Sequence, residues 1–340
     1  MHGAALLRAS GLRRSRQLRA LAPGAHAVGL HASGADGRRS VRAAASATTA
    51  PAQPPAGGAE LPFTLKQVDV QVGNWGSIRL VVPASEDEAR AHSRVAVAAQ
   101  LCLTCCACGL SRAVPQVLDY YIASNRGDAD PFFCSIWPSS IALAQVVLQH
   151  PHLVQGKRAI EVGCGLGLAG IATALAGAAS VVLADREVFA LRCSLLAAAA
   201  NGLYPTPLDA HAGGGADQAR NLQRLLANAG GAGLGALRAL ELDWHAPSPE
   251  LDGSFDVMLA SDVLYESSAV EPVAALAQRL LAPGGLLLFA DPPLRTPANR
   301  ARFLTLVDGH LSLVREEQHD VFDAEQKPAT VQFCVLQKRA

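Results

Sequence analysis

Between Arg158 and Asp185 the chain spells a short apolar strand, a loop with glycine at alternate positions, an apolar helix, and a second apolar strand ending in a carboxylate. Strands that are apolar throughout are buried on both faces, so this segment demands a parallel sheet with helices against it. The strands read as Arg158 to Val162 and Ser180 to Asp185. The helices read as Leu168 to Ala176, with Leu168, Ile171, Ala172 and Leu175 on one face, and Glu187 to Ala200. Three further strands follow at Leu237 to Asp243, Phe255 to Asp262 and Gly284 to Asp291, with helices near Glu271 to Leu281 and Pro297 to Asp308. Leu311 to Glu317 and Val331 to Gln337 have no helix between them and should close the sheet as an antiparallel hairpin. The expected fold class is therefore α/β: a Rossmann-like sheet of seven strands, mostly parallel. Its ligands should sit beyond the carboxyl ends of the strands, where the strand order reverses.

The first strand runs into Glu161-Val162-Gly163-Cys164-Gly165-Leu166-Gly167 and then directly into a helix. Glycine lets backbone approach a ligand without a Cβ in the way, and a helix start presents unpaired N–H groups to an anion. Asp185, at the end of the second strand, can accept hydrogen bonds from both hydroxyls of a ribose. Together they describe a nucleoside cofactor. Gly165 to Gly170 also satisfies the dinucleotide pattern G-x-G-x-x-G, so a nicotinamide cofactor has to be weighed. Glu161, two residues before Gly163, gives E-x-G-x-G-x-G and favours S-adenosyl-L-methionine, with the acidic side chain ordering the loop around the methionine portion. Asp243-Trp244 closes the third strand, where an indole can cover an adenine and a carboxylate can meet its amine. Ser261-Asp262-Val263-Leu264-Tyr265 closes the fourth and sets a carboxylate and a phenol over the sheet centre. A core aromatic for Trp244 and a helix N-cap for Asp262 are the plainer alternatives.

With these residues in view, the chain resembles the seven-β-strand protein-lysine methyltransferases over roughly Pro131 to Phe303. The marks are Ile136-Trp137-Pro138-Ser139, Glu161 to Gly167, Asp185-Arg186, Asp243-Trp244 and Asp262-x-x-Tyr265. The resemblance implies S-adenosyl-L-methionine as cofactor, in a pocket lined by Trp137, Gly163, Gly165, Asp185, Trp244 and Ser261; the glycine loop and the third strand end add Glu161, Cys164, Gly167 and Asp243 to the expected cofactor-binding residues. It implies that Asp262 and Tyr265 face the methyl-accepting site and that the partner is a protein offering a lysine; a small-molecule methyltransferase and a non-catalytic cofactor-binding protein of the same fold are the alternatives. The Pro-Phe-Phe entry and an upstream hairpin are most similar to the branch acting on the electron-transfer flavoprotein β-subunit. That branch prefers W-P-G-G where this chain has Trp137-Pro138-Ser139-Ser140. Asp291-Pro292-Pro293 is similar to the D/N-P-P-Y loop of nucleic-acid amino-methyltransferases but follows the wrong strand, so it reads as a rigid turn that lets Arg295 reach substrate.

Composition frames the rest. Lysine plus arginine equals aspartate plus glutamate at 29 each, so no net field draws the chain to nucleic acid or an anionic membrane. The first 59 residues nonetheless carry eight arginines, no lysine and one acid, Asp36. An Arg-rich, acid-poor, Ala/Ser-rich start reads as a transit peptide over residues 1–55, addressing chloroplast or mitochondrion; a disordered tail is the alternative. Residues 56–130 read as an extension: a β-hairpin over Phe63 to Val82 about a Gly73-Asn74-Trp75-Gly76 turn, then an Ala/Cys-rich helical stretch to Val117. The domain proper spans 131–340, with a Gly/Ala-rich insertion at 205–236. Cys102, Cys105, Cys106 and Cys108 cluster tightly but lack the second ligand pair of a zinc site, and are expected to pack as small hydrophobes; no metal is expected. The apolar run Val95 to Leu110 is too short for a membrane span. Oligomeric state carries no signal in the sequence.

Overall fold

In the computed structural model of the chain, residues 65–84, 114–126, 129–205 and 236–340 are described. The leader, the Cys102 to Cys108 cluster and the 206–235 part of the insertion lie outside them. Strands β3 (Arg158–Val162), β4 (Ser180–Asp185), β5 (Ala236–Glu241), β6 (Phe255–Ser261), β7 (Leu281–Asp291), β8 (Leu311–Phe322) and β9 (Pro328–Lys338) form one sheet in the order β5-β4-β3-β6-β7-β9-β8. The first five run parallel, while β9 inserts antiparallel between β7 and β8. A plain doubly wound nucleotide fold has no such insertion. Asp291 on β7 pairs with Gln332 and Leu286 with Gln337.

Successive side chains of each strand point to opposite faces, and the two cores divide accordingly. Ala159, Val181, Leu183, Val257, Leu259, Leu288 and Phe333 meet helices α2 (Pro138–Gln149), α3 (Leu168–Leu175) and α4 (Val188–Ala200). Ile160, Val162, Val182, Met258, Ala260, Leu287 and Phe289 meet α5 (Val270–Leu280) and α6 (Pro297–Val307) on the other face. Helices before the order reversal cover one face and those after it the other. The reversal lies between β3 and β6, whose carboxyl ends bear Val162 and Ser261.

Helix α2 is absent from the sequence expectations. It buries Ile141, Ala142, Leu143, Ala144, Val146 and Val147 at nearly consecutive positions, so it has no polar stripe to betray a 3.6-residue period. β8 also runs five residues past its expected end at Glu317, because its charged alternation (Arg315, Glu316, Glu317) marks an edge strand that water faces.

The expected N-terminal hairpin is present as β1 (Leu65–Val72) and β2 (Gly76–Pro83), and its Val70, Val72, Ile78, Leu80 and Val82 join the first core. Asn201, at the end of α4, fixes it in the manner of a peptide group: its Oδ1 accepts from Arg79 N–H at 3.0 Å and its Nδ2 donates to Arg79 C=O at 2.6 Å. The described part of the Ala/Cys-rich stretch is helix α1 (Val114–Ala123), with Tyr121 stacked on Phe189 at 6.2 Å between ring centres.

Candidate active site

At the end of β3 the chain has to turn off the sheet and start α3 within five residues. Gly163, Gly165 and Gly167 all adopt positive φ, +63°, +50° and +77°. Side-chain space forbids anything larger at two of them. A Cβ on Gly163 would stand 2.9 Å from Trp244 Cζ2 and 3.0 Å from Val263 Cγ1; one on Gly167 would stand 2.8 Å from Ser194 Cβ. The loop is tied down by Cys164 N–H to Ala184 C=O at 3.0 Å and Gly165 N–H to Asp185 Oδ2 at 2.9 Å.

Asp185 therefore bridges two elements, since its Oδ1 also accepts from Glu187 N–H at 2.9 Å. Burial pushes its carboxyl up to about 6 despite these two donors, which favour the ionised form. Glu187 caps α4, accepting from Phe189 N–H at 3.2 Å, and pairs with Arg126 at 3.0 Å. Burial likewise pushes the Cys164 thiol well above its ordinary value, with Asp185 and Glu161 adding to the effect, so it stays a neutral thiol.

Glu161 and Gly167 do not line the cavity that these elements enclose; they stand behind it. Glu161 is buried and its Oε2 accepts from Gly170 N–H of α3 at 2.7 Å, while Oε1 has no partner. Burial pushes this carboxyl up to about 8. The E-x-G-x-G-x-G spacing thus places Glu161 where it locks helix to strand, rather than against a ligand.

The cavity measures about 680 Å³. Trp137, Gly163, Cys164, Gly165, Asp185, Asp243, Trp244, Ser261, Asp262 and Tyr265 all line it, so ten of the twelve residues singled out in the sequence converge. Trp244 lays its indole against Gly163, its Nε1 buried without a partner. Asp243 sits at the rim; it accepts from His245 N–H at 2.9 Å and meets the His245 ring at 3.2 Å, which hold its carboxyl below the usual range. Trp137 precedes Pro138 at the start of α2 and donates from Nε1 to Phe132 C=O at 3.3 Å.

A further wall of the cavity is built by the loop after β6. Asp262 has φ +61°, an unusual conformation that Asp tolerates better than most residues. Its N–H is held by Ala290 C=O at 2.9 Å. Its side chain is 4% exposed and ion-paired with Arg295, which the Pro292-Pro293 turn after β7 delivers into the cavity. The Arg295 guanidinium lies 5.1 Å over the Trp137 ring. Asp291 itself turns away from the cavity to pair with Arg300. Tyr265 donates to Asp130, and burial followed by the carboxylates of Asp130, Glu266 and Asp185 raises its phenol above the ordinary value. The phenol therefore remains a neutral donor.

Asp130 was not singled out in the sequence, being 135 positions from Tyr265. A local signal was present: Asp before Pro131 is a helix N-cap signature, and its Oδ1 accepts from Phe132 N–H at 2.8 Å. Carboxylates outnumber guanidinium groups around the cavity: Asp130, Asp185, Glu187, Asp243, Asp262 and Glu266 against Arg186 and Arg295. Such a lining favours a cationic guest. Among the described residues no group of His, Cys, Asp and Glu is placed to hold a metal ion, and no helix is long and apolar enough to cross a membrane.

The chain is 35% identical over 78 residues to the electron transfer flavoprotein beta subunit lysine methyltransferase of Danio rerio, a match covering 23% of this chain and 30% of the relative. The enzyme of the same name from Xenopus laevis is 33% identical over 93 residues, covering 26% and 35%. The chain thus spans about a third of the length of these relatives. Calmodulin-lysine N-methyltransferase of Arabidopsis thaliana is 29% identical over 168 residues, covering 48% and 46%. Among solved structures, ribosomal protein L11 methylase from Lactobacillus delbrueckii subsp. bulgaricus has a TM-score of 0.39 and 15% identity, covering 59% of this chain and 79% of that one. A family model described as lysine methyltransferase matches residues 124–199, so the run from Ser124 through the glycine loop to the end of α4 carries the pattern of the lysine methyltransferase family.

Proposed function

We propose that the protein is an S-adenosyl-L-methionine-dependent methyltransferase whose acceptor is the side-chain amine of a lysine in an organellar protein. The observation that carries this reading is that one cavity gathers Gly163, Asp185 and Trp244 together with Asp262 and Tyr265. The first three suit a sulfonium nucleoside. Gly163 lets the loop lie directly against the Trp244 indole, Asp185 keeps lone pairs for ribose hydroxyls, and the indole offers a flat apolar wall for a purine. Gly165, Cys164, Ser261 and Trp137 complete the enclosure, and the excess of carboxylates suits a cationic cofactor. When bound, that cofactor supplies a methyl carbon on positive sulfur, which a neutral nitrogen takes as the C–S bond breaks and the positive charge passes to nitrogen.

Asp262 and Tyr265 have correspondingly simple tasks. They must hold an amine in line, exclude water and leave its lone pair free. Tyr265 and Asp262 offer a phenol and a carboxylate to the acceptor. The match to lysine methyltransferases over residues 124–199 supports lysine as that acceptor, and the Arg-rich, acid-poor start of the chain supports an organellar one. Incubation of the purified protein with methyl-labelled cofactor and an organelle extract should label protein. Mass analysis of organellar proteins from a knockout, complemented with wild type or Asp262→Ala, should show a lysine methylation that only the wild type restores. If no lysine methylation disappears in the knockout, the reading fails.

A further inference from the structure

Tyr265 lines the cavity, but its proton is already committed. The phenol donates to Asp130, which lies on the segment before α2 and lines the same cavity. A phenol has one proton and two lone pairs, so with that proton engaged the Tyr265 oxygen can only accept from a guest. Burial, and after it the Asp130 carboxylate, keeps the proton on the phenol. Asp130 is itself fixed: its other oxygen accepts from Phe132 N–H at 2.8 Å and so caps the short helical turn Pro131–Cys134. Neither of these two partners brings a positive charge to offset the carboxylate.

The other charged groups of the lining have different engagements. From the end of β4, Asp185 takes two backbone N–H groups and Glu187 pairs with Arg126. After β5, Asp243 meets His245, and from the turn after β7 Arg295 pairs with Asp262. Glu266, beside Tyr265, and Arg186, beside Asp185, complete the set. The bond from Tyr265 to Asp130 therefore joins two walls of the cavity, the loop after β6 and the segment before α2, through a proton that no guest can use.

We propose that Asp130 is a positioning residue for methyl transfer: by holding the Tyr265 proton, it makes the phenol oxygen an acceptor for an N–H of the attacking amine and leaves the amine lone pair free. The proposal rests on the lysine-methylation reading of this cavity. Without Asp130 the phenol would donate to the best acceptor in reach, and on a neutral amine that acceptor is the lone pair the reaction needs. The pair also helps with charge. An O–H bonded to a carboxylate is polarised, so its oxygen accepts more strongly than that of a free phenol. This counts as the N–C bond forms and the C–S bond breaks: sulfur keeps the bonding pair, nitrogen becomes positive, and its N–H bonds to the phenol oxygen strengthen. The methylated ammonium then gives its extra proton to solvent.

The test compares two nucleosides that differ at the reacting position. S-Adenosylhomocysteine has a neutral sulfur and no methyl group there, whereas sinefungin sets a protonated amine where the methyl group would be. In calorimetry at neutral pH, Asp130→Asn should lower the ratio of sinefungin to S-adenosylhomocysteine affinity about tenfold, with S-adenosylhomocysteine affinity itself unchanged. Asparagine still caps the Pro131 turn, so the loss is one of charge. In turnover of methyl-labelled cofactor on an organelle extract, Asp130→Asn should lower the maximal rate about tenfold and leave the cofactor KM within about twofold. The same substitution in a Tyr265→Phe background should change neither quantity further, since the phenol through which Asp130 acts is gone. A merely structural Asp130 would weaken both nucleosides alike and cost the same factor with or without the phenol. S-Adenosylhomocysteine uptake is the folding control, with Asp130→Ser, also a capping residue, measured instead if Asp130→Asn fails it. An affinity ratio that survives the substitution, or an equal loss in both backgrounds, overturns the proposal. If wild type methylates lysine under either of those outcomes, only the role of Asp130 falls. If the ratio and its coupling to Tyr265 are as expected but no lysine is labelled, lysine falls as the acceptor and the role of Asp130 stands. Failure of wild type to take up either nucleoside removes both.

Discussion

Replacing Glu161 by glutamine should make the protein more resistant to unfolding as pH rises, although it removes a charge from the most conspicuous motif in the sequence. Glu161 is buried, has one bond to Gly170 N–H, and has its carboxyl pushed from an ordinary 4.5 up to about 8. The folded chain therefore keeps a proton that the unfolded chain has lost at neutral pH. More protons bound in the folded state means that stability is fully present below pH 4.5, falls as pH rises, and levels off above pH 8. At about 1.4 kcal/mol per pH unit, this group should account for a loss of about 3 kcal/mol between pH 5 and pH 8. Glutamine keeps an oxygen for Gly170 and cannot ionise. Urea unfolding of both proteins at half-unit pH steps isolates the effect, because the other raised carboxyls, Asp185 and Asp291, are common to both. The variant should gain on the wild type steadily from pH 5, with a relative midpoint shift of roughly 1 M by pH 8. A difference in stability that does not change with pH, or that runs the other way, would refute the placement of a neutral acid between β3 and α3.

Three further substitutions separate the cavity from its scaffold. Gly163→Ala forces a Cβ to within 2.9 Å of Trp244 at φ +63°, and should cost about 2–3 kcal/mol in thermal unfolding and displace the indole enough to weaken S-adenosylhomocysteine binding at least about tenfold; unchanged affinity would contradict the close approach of loop and indole. Trp244→Phe should leave stability within about 1 kcal/mol, since the indole N–H has no partner to lose, yet reduce cofactor affinity by about tenfold in calorimetry. Asn201→Ala breaks both bonds to Arg79 and should cost about 1–2 kcal/mol, with faster hydrogen exchange confined to the β1–β2 hairpin; exchange that quickens across the whole sheet would argue against a local tie.

How much of this was legible depends on what each residue is asked to do. β3 and β4 match their expected bounds residue for residue, because strands buried on both faces are uninterrupted apolar runs ended by a glycine or a carboxylate. Helix α2 went unread because an element buried all round loses the polar stripe that makes a helix visible. Nine of the ten legible cavity residues lie at or just after strand ends that the sheet must bring together, whereas Trp137, at the start of α2, was legible only through the family resemblance. Spacing could not tell which way a side chain turns once it is there. Glu161, on β3, and Gly167, on the loop with Gly163 and Gly165, belong to the same motif but face α3 and α4, and Asp291 ends β7 as Ser261 ends β6 but turns to Arg300. Asp130 and its bond to Tyr265 needed the folded chain.

Several positions that break local rules line the cavity, and what they have in common bears on its function. A loop of left-handed glycines, an aspartate at φ +61°, an indole N–H without a partner and a buried ion pair with one unmatched oxygen would each be unfavourable in a scaffold selected for stability alone. The sheet that carries them has apolar strands that alternate their faces, charged residues along the edge strand β8, and helices that divide between faces where the strand order reverses. Those at the ends of β3, β5 and β6 share one property: they set polar groups with spare bonding capacity, lone pairs on Asp185, an oxygen on Asp262 and the Trp244 N–H, in residues that line a cavity a bound guest can enter. The energy those departures cost is recovered only when that guest arrives, so ligand-induced stabilisation should be larger for this protein than for Gly163→Ala or Trp244→Phe measured with the same nucleoside.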